Sequence, residues 1–151
     1  LTKKLNMRAE KDGLNFDCFR AVVGNTFDAH RLSKFARARG VDMTGSLFDA
    51  CFRDGRDLSD HAVLKSLAEE AGLGGKDTES VLNGSDYASD VRRDEDEAAR
   101  FGIRAVPYFG VDRTYGISGM KSLTLFRYAL KDLLRKANIG YTSPAVENDG
   151  E

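Results

Sequence analysis

The stretch Gly102-Ile-Arg-Ala-Val-Pro-Tyr-Phe-Gly-Val-Asp112, followed closely by Tyr115-Gly-Ile-Ser-Gly119, decides the fold. A charged helical pattern stops at Phe101, a glycine follows, and the residues then change to the aromatic and β-branched types that suit a pleated strand. Pro107 stands at the mouth of that strand and is the only proline before the tail. A proline lacks the N–H that a central strand must donate, so it belongs at a strand's start or edge. A turn near Asp112 and Arg113 returns the chain as a second short strand, Thr114 to Ser118. Almost everything outside this hairpin reads as helix, which makes the chain an α/β protein of mostly helical content.

At 151 residues the chain is one ordinary domain long and can bury a core without staples. Lys plus Arg is 23 and Asp plus Glu is 24, so the net charge of −1 exerts no general pull towards nucleic acid or membrane. No apolar run approaches the roughly 20 residues of a transmembrane helix. No leader pattern opens the sequence, so a cytoplasmic location is expected. Two cysteines, Cys18 and Cys51, form neither a C-x-x-C pair nor a metal spacing with His30 or His61. Cys51 lies among Leu47, Phe48 and Phe52 at helical spacing and reads as a small core residue. Cys18 sits beside Asp17 and Phe19 in an irregular stretch with no clear activating neighbour, Arg20 being the one nearby charge that would favour a thiolate.

Taken in order, residues 1–25 are the end of a helix, stopped at Gly13, and an extended connector from Leu14 to Val23. Residues 26–84 are helical throughout. Asn25 or Thr26 caps a helix to about Arg39 that presents Ala29, Leu32, Phe35 and Ala36 on one face. A helix from Thr44 to Asp54 is expected to bury Leu47, Phe48, Cys51 and Phe52. Ser59 reads as the N-cap of the next helix, with Leu58 and Val63 placed as a hydrophobic staple. A short helix from Asp77 to Leu82 follows the Gly74-Gly75 turn.

Residues 85–137 hold the charged helix, the hairpin and a long amphipathic helix from Ser122 to Ala137. The charged helix has a thin inner face of Tyr87, Val91, Ala98 and Phe101, and its run Arg92 to Glu97 reads as a solvated face held by weak pairs. Residues 138–151 mix Gly, Ser, Pro and acidic residues without periodicity and are expected to be a disordered tail.

No G-x-S-x-G, P-loop, H-E-x-x-H or EF-hand pattern occurs, and the histidines lack a ligand partner at i+3 or i+4. The candidate site is therefore the backbone around Pro107. An ordinary trans bond is the commoner state, since only about 5–6% of X–Pro bonds in folded proteins are cis. A cis bond would turn the backbone of Ala105 and Val106 outward, where an extended peptide or thiol ligand could pair with it as an added strand.

The central stretch, together with Asn25-Thr-Phe-Asp-Ala-His-Arg-Leu32, resembles the DsbA-like thioredoxin-fold family, and most closely its FrnE-type bacterial branch associated with polyketide biosynthesis. Gly55-Arg-Asp-Leu-Ser-Asp60, Asp90-Val-Arg-Arg-Asp-Glu-Asp-Glu-Ala-Ala-Arg-Phe-Gly-Ile103 and Tyr115-Gly-Ile-Ser-Gly119 fit the same branch, in the expected order. The resemblance implies a thioredoxin-like fold interrupted by a helical insertion, thiol–disulfide exchange with a peptide or small thiol, and no cofactor. It implies that Pro107 is the cis-proline facing the active site, with Ala105, Val106 and Asn25 on the substrate side. Relatives of the hydroxychromene-carboxylate isomerase or kappa transferase type use glutathione, which is the alternative reading. A strand-binding module without catalysis is the third.

The sequence departs from the family pattern in two places. The usual Gly-Val-Pro is Ala105-Val106-Pro107, and the usual Ser-Gly-Ala-Gln is Ser118-Gly119-Met120-Lys121. The resemblance also implies a first strand, a first helix carrying the redox dithiol or a single Ser or Cys, and a second strand, none of which is found here. The chain is thus expected to be a fragment, inactive alone, whose open strand edge invites self-association.

Overall fold

The computed structural model describes residues 2–111, 113 and 115–136. The expected tail, Ala137, and the turn residues Asp112 and Thr114 lie outside them. The chain forms two compact units, one from Leu1 to Phe101 and one from Gly102 onward.

The first unit is built on α2 (Phe27–Ala38), preceded by α1 (Thr2–Lys11). It continues through α3 (Thr44–Phe48), a π-helical turn (Asp49–Arg53), α4 (His61–Glu70), α5 (Gly75–Asn83) and α6 (Ala88–Arg100). The expected inner face of α2 is the core: Ala29, Leu32, Phe35 and Ala36 are buried against Leu64, Leu67 and Ala68 of α4 and Val81 and Leu82 of α5. Each large side chain so buried contributes about 1.5–3 kcal/mol.

Two helices of this unit stop in the same way. The Val41 N–H donates to the Ala36 carbonyl at 3.0 Å and the Leu73 N–H to the Ala68 carbonyl at 2.9 Å, each across a glycine with φ near +80° (Gly40 +76°, Gly72 +84°). A side chain at either glycine would strain the closure, so G-[L/V] after an apolar stripe spells the helix end.

Two local readings are corrected by the structure. The helix from Thr44 to Asp54 does not stay α-helical. Its last turn widens to π geometry, and Ala50 in that turn is buried while Phe48 just before it is 53% exposed. Phe48 instead meets Phe52 at 6.1 Å between ring centroids. Ser59 does not cap α4. The cap is Asp60, whose carboxylate accepts from the Ala62 N–H at 2.8 Å, because Asp57 draws Ser59 into a turn through both its N–H and its hydroxyl. A third reading holds: the charged run on α6 is largely exposed, and pairs fasten its rim. The Arg92 guanidinium lies 4.2 Å over the Phe27 ring, and Lys34 pairs with Asp94 at 2.5 Å. These contacts, with buried Val91, group α6 with the helical unit rather than with the hairpin that follows it in sequence.

The cation at the centre of this unit is Arg31, only 4% exposed. Its guanidinium donates to the carbonyls of Val81, Gly84 (2.8 Å) and Asp86 (2.9 Å) and to the Asp28 carboxylate (2.8 Å). Asp28 also meets His61 Nε2 at 2.8 Å. Partial burial of Asp28 opposes its ionisation, but the hydrogen bonds and charges of His61 and Arg31 outweigh it and hold the carboxyl below its usual range.

Replacing Arg31 by Met should cost about 3 kcal/mol in urea unfolding, since breaking one partner of a buried charged network strands the rest. Lysine should not rescue it, because an ammonium cannot span three carbonyls and a carboxylate. A carboxyl with a depressed folded pKa adds stability above its unfolded pKa, and that stability is lost as pH falls through the folded value. Asp28→Asn should therefore flatten the acid limb of the stability–pH curve and leave its neutral-to-basic slope unchanged.

Candidate functional site

The second unit carries β1 (Tyr108–Val111), β2 (Tyr115–Ser118) and α7 (Leu123–Lys136). The strands are antiparallel with Tyr108 opposite Ser118, Phe109 opposite Ile117, Gly110 opposite Gly116 and Val111 opposite Tyr115. Beyond the last pair the Gly119 N–H donates to the Pro107 carbonyl at 2.8 Å, which fixes Pro107 at the root of the hairpin.

Side chains alternate between the two faces. Phe109 and Val111 share one face with their partners Ile117 and Tyr115. Phe109 meets Phe126 of α7 edge-on, with centroids 5.0 Å apart and planes at 75°. Ser122 opens α7 by accepting the Leu125 N–H on its hydroxyl at 3.3 Å, and the Lys136–Asp132 pair of 2.8 Å lies in the last turn. On the other face the hydroxyl end of the Tyr108 ring sits against Gly116, so close that a Cβ built there would stand 2.5 Å from the ring carbon bearing the hydroxyl. Gly116 is glycine because Tyr108 occupies the volume of its side chain.

Immediately before β1 the Val106–Pro107 bond is cis. Val106 is 88% exposed, Pro107 is half-buried and Ala105 is exposed. Among the described residues neither Ala105 nor Val106 uses its N–H or C=O in a backbone hydrogen bond. The three expected residues of this site thus form one contiguous segment, in which Ala105 and Val106 keep their main-chain groups unpaired while the Pro107 carbonyl is taken by Gly119. Asn25, the fourth, belongs to the other unit, where its side-chain oxygen accepts the Phe27 N–H at 2.9 Å and opens α2.

Other possible sites carry less. A surface hollow of the helical unit is lined by His30, Lys34, Arg37, Tyr87, Asp90 and Asp94, but Lys34 and Asp94 are spent on each other and Asp90 on Arg93. Among the described residues no group of His, Cys, Asp and Glu could hold a metal ion. None of their helices is long and apolar enough to cross a membrane. The sequence reading missed the Asp28–His61 pair, because i and i+33 carry no spacing signal.

A helical unit joined to a hairpin and helix with a cis-proline at the hairpin's root defines the class, which is thioredoxin-like. Residues 1–131 match the DSBA-like thioredoxin domain, and the chain belongs to that family. The crystal structure of a probable DsbA oxidoreductase from Streptomyces coelicolor superposes with a TM-score of 0.77 at 32% identity, covering 97% of this chain and 63% of that one. The chain therefore spans less than two thirds of that protein's length. Among curated proteins, none matches the chain.

Gly116→Ala should drive Tyr108 off the sheet and lower hydrogen-exchange protection of the hairpin amides about tenfold, on the order of 1.4 kcal/mol. Tyr108→Ala in the same chain should remove most of that penalty, a coupling that a double-mutant cycle measures directly.

Proposed function

We propose that this chain supplies the substrate-facing side of a FrnE-type thiol–disulfide oxidoreductase. An extended peptide or small thiol lies along Ala105 and Val106, and a reactive sulfur N-terminal to Leu1 exchanges disulfides with it. The observation that carries this reading is the unpaired main chain of Ala105 and Val106 on an open surface beside Pro107. Such a segment holds an extended ligand by backbone hydrogen bonds, which are indifferent to side-chain identity and suit a protein acting on many disulfides. The family and the likeness to a probable DsbA oxidoreductase support the same chemistry. Exchange requires a thiolate to attack a disulfide and a second thiol to resolve it. The chain alone is expected to bind and not to turn over. A bacterial cytoplasmic setting belongs to the same proposal, as does pairing of two copies along the open edge of β1 when no ligand covers it.

An NMR titration with a cysteine-bearing extended peptide should shift the amides of Ala105, Val106 and Tyr108 and leave those of α2 unmoved. Val106→Asp should weaken the peptide about tenfold. Stronger response to glutathione than to peptide would favour the isomerase or transferase relatives instead. No response at these amides would sink the reading, as would insulin-disulfide reduction by this chain that Cys18→Ser abolishes. A C-x-x-C, a lone serine or neither ahead of Leu1 separates the oxidoreductase, the isomerase and the binding module.

A further inference from the structure

The two cysteines stand 33 positions apart in sequence and belong to no part of the site above. The fold nevertheless brings their neighbours into contact. The Asp17 N–H donates to the Phe52 carbonyl at 2.7 Å, and the Phe16 and Phe52 rings pack with centroids 5.1 Å apart. Asn6 of α1 fixes the same turn from behind. Its oxygen accepts the Cys18 N–H at 2.9 Å, and its amide donates to the Asp17 carboxylate at 3.2 Å.

Cys18 follows Asp17 and Cys51 precedes Phe52, so each cysteine is one residue from a direct main-chain hydrogen bond between the two segments. Such a bond sets the backbones of Asp17 and Phe52 about 5 Å apart, which brings the residues next to them near the roughly 4.4–6.8 Å between Cα atoms that a disulfide spans. Both thiols are free and half-buried. Burial pushes the Cys51 thiol up, and the neighbouring Cys18 pushes it further, which is the electrostatic trace of their closeness.

We propose that Cys18 and Cys51 form a reversible intramolecular disulfide that latches the connector after α1 onto the π-helical turn. The oxidant is a small-molecule disulfide such as oxidised glutathione. Cys18, in the turn, attacks one sulfur as its thiolate. The S–S bond of glutathione breaks, one glutathione thiolate leaves, and Cys18 carries the other half as a mixed disulfide. Cys51 then gives its proton to solvent and attacks the Cys18 sulfur, which forms the Cys18–Cys51 bond and releases the second glutathione thiolate. Two protein thiols are oxidised to one disulfide, and one disulfide is reduced to two thiols. The raised Cys51 pKa assigns the order, because a thiol that ionises reluctantly is the slower first attacker.

The test uses the 151-residue chain with oxidised glutathione at neutral pH, followed by thiol counting and non-reducing peptide mapping. The expected product is a monomer without free thiols, lighter by two hydrogens, whose cleavage joins the Cys18 and Cys51 peptides. Its urea midpoint should be higher than that of the reduced chain and return on adding dithiothreitol. Cys51→Ser should stop at a single stable glutathione adduct on Cys18. Two stable adducts on the wild-type chain, or cross-linked dimers in place of the internal bond, would overturn the proposal. These readouts do not involve Val106, so they stand or fall apart from the oxidoreductase reading.

Discussion

One buried guanidinium sets the arrangement of the helical unit. A cation removed from water is tolerated only where hydrogen-bond acceptors and counter-charge replace the lost hydration. Arg31 finds both at the end of α5. The carbonyls near a helix C-terminus have no partner within the helix and form the negative pole of its dipole. Arg31 takes the carbonyl of Val81 there, then those of Gly84 and Asp86 in the loop beyond, while Asp28 one turn back supplies the negative charge. The loop is thereby held to α2 at the point where the chain turns into α6. Tyr87 caps α6 with a left-handed backbone (φ 62°), a conformation unfavourable for an aromatic residue, and the Asp86 carbonyl just before it is the one that Arg31 grips.

The rest of that unit follows from placing α6 on α2. Tyr87 meets Phe35 edge-on at 6.1 Å, Arg92 covers Phe27, and Lys34 reaches Asp94, so a helix with one buried residue, Val91, is secured by its rim. Exposed ion pairs alone are worth little. Here they are joined by an aromatic contact and a cation over a ring. The hairpin unit is organised differently. Among its described residues none is fully buried, and its order comes from strand pairing, the Phe109–Phe126 contact and the fit of Tyr108 over Gly116.

Much of this is legible in the sequence wherever the signal is local. The stripe of α2, the glycine stops after Arg39 and Ala71, and the two strands beside Pro107 are each encoded within a few residues, and the structure reproduces them. Failures come where a distant partner decides. Nothing near Thr44–Asp54 announces a π-helical turn, in which Ala50 is buried while Phe48 before it faces out. Ser59 has the residue type of a cap but loses the role to Asp60 because Asp57 competes for it. Arg31 is indistinguishable in sequence from any helical arginine, since three of its four partners lie 50 or more positions away. At the candidate site, Ala105, Val106 and Pro107 are contiguous, so the sequence alone brings them together. Asn25 was legible as a helix-opening residue, which is the role its hydrogen bond to Phe27 shows.

The pairing of the hairpin has a consequence for anything that docks beside β1. Among the described residues the sheet has the order β1–β2, so the other side of β1 is the side on which a strand would add. An added strand keeps the pleat of its neighbour, so its residues fall into two classes by parity. Those of one parity stand beside Phe109 and Val111, on the face that α7 reaches through Phe126. Those of the other stand beside Tyr108 and Gly110, where glycine leaves open room next to a phenol. A ligand shifted by a single residue would exchange every one of these environments. For a strand added at this edge, selectivity would therefore reside in phase along the backbone rather than in a pocket for any one side chain.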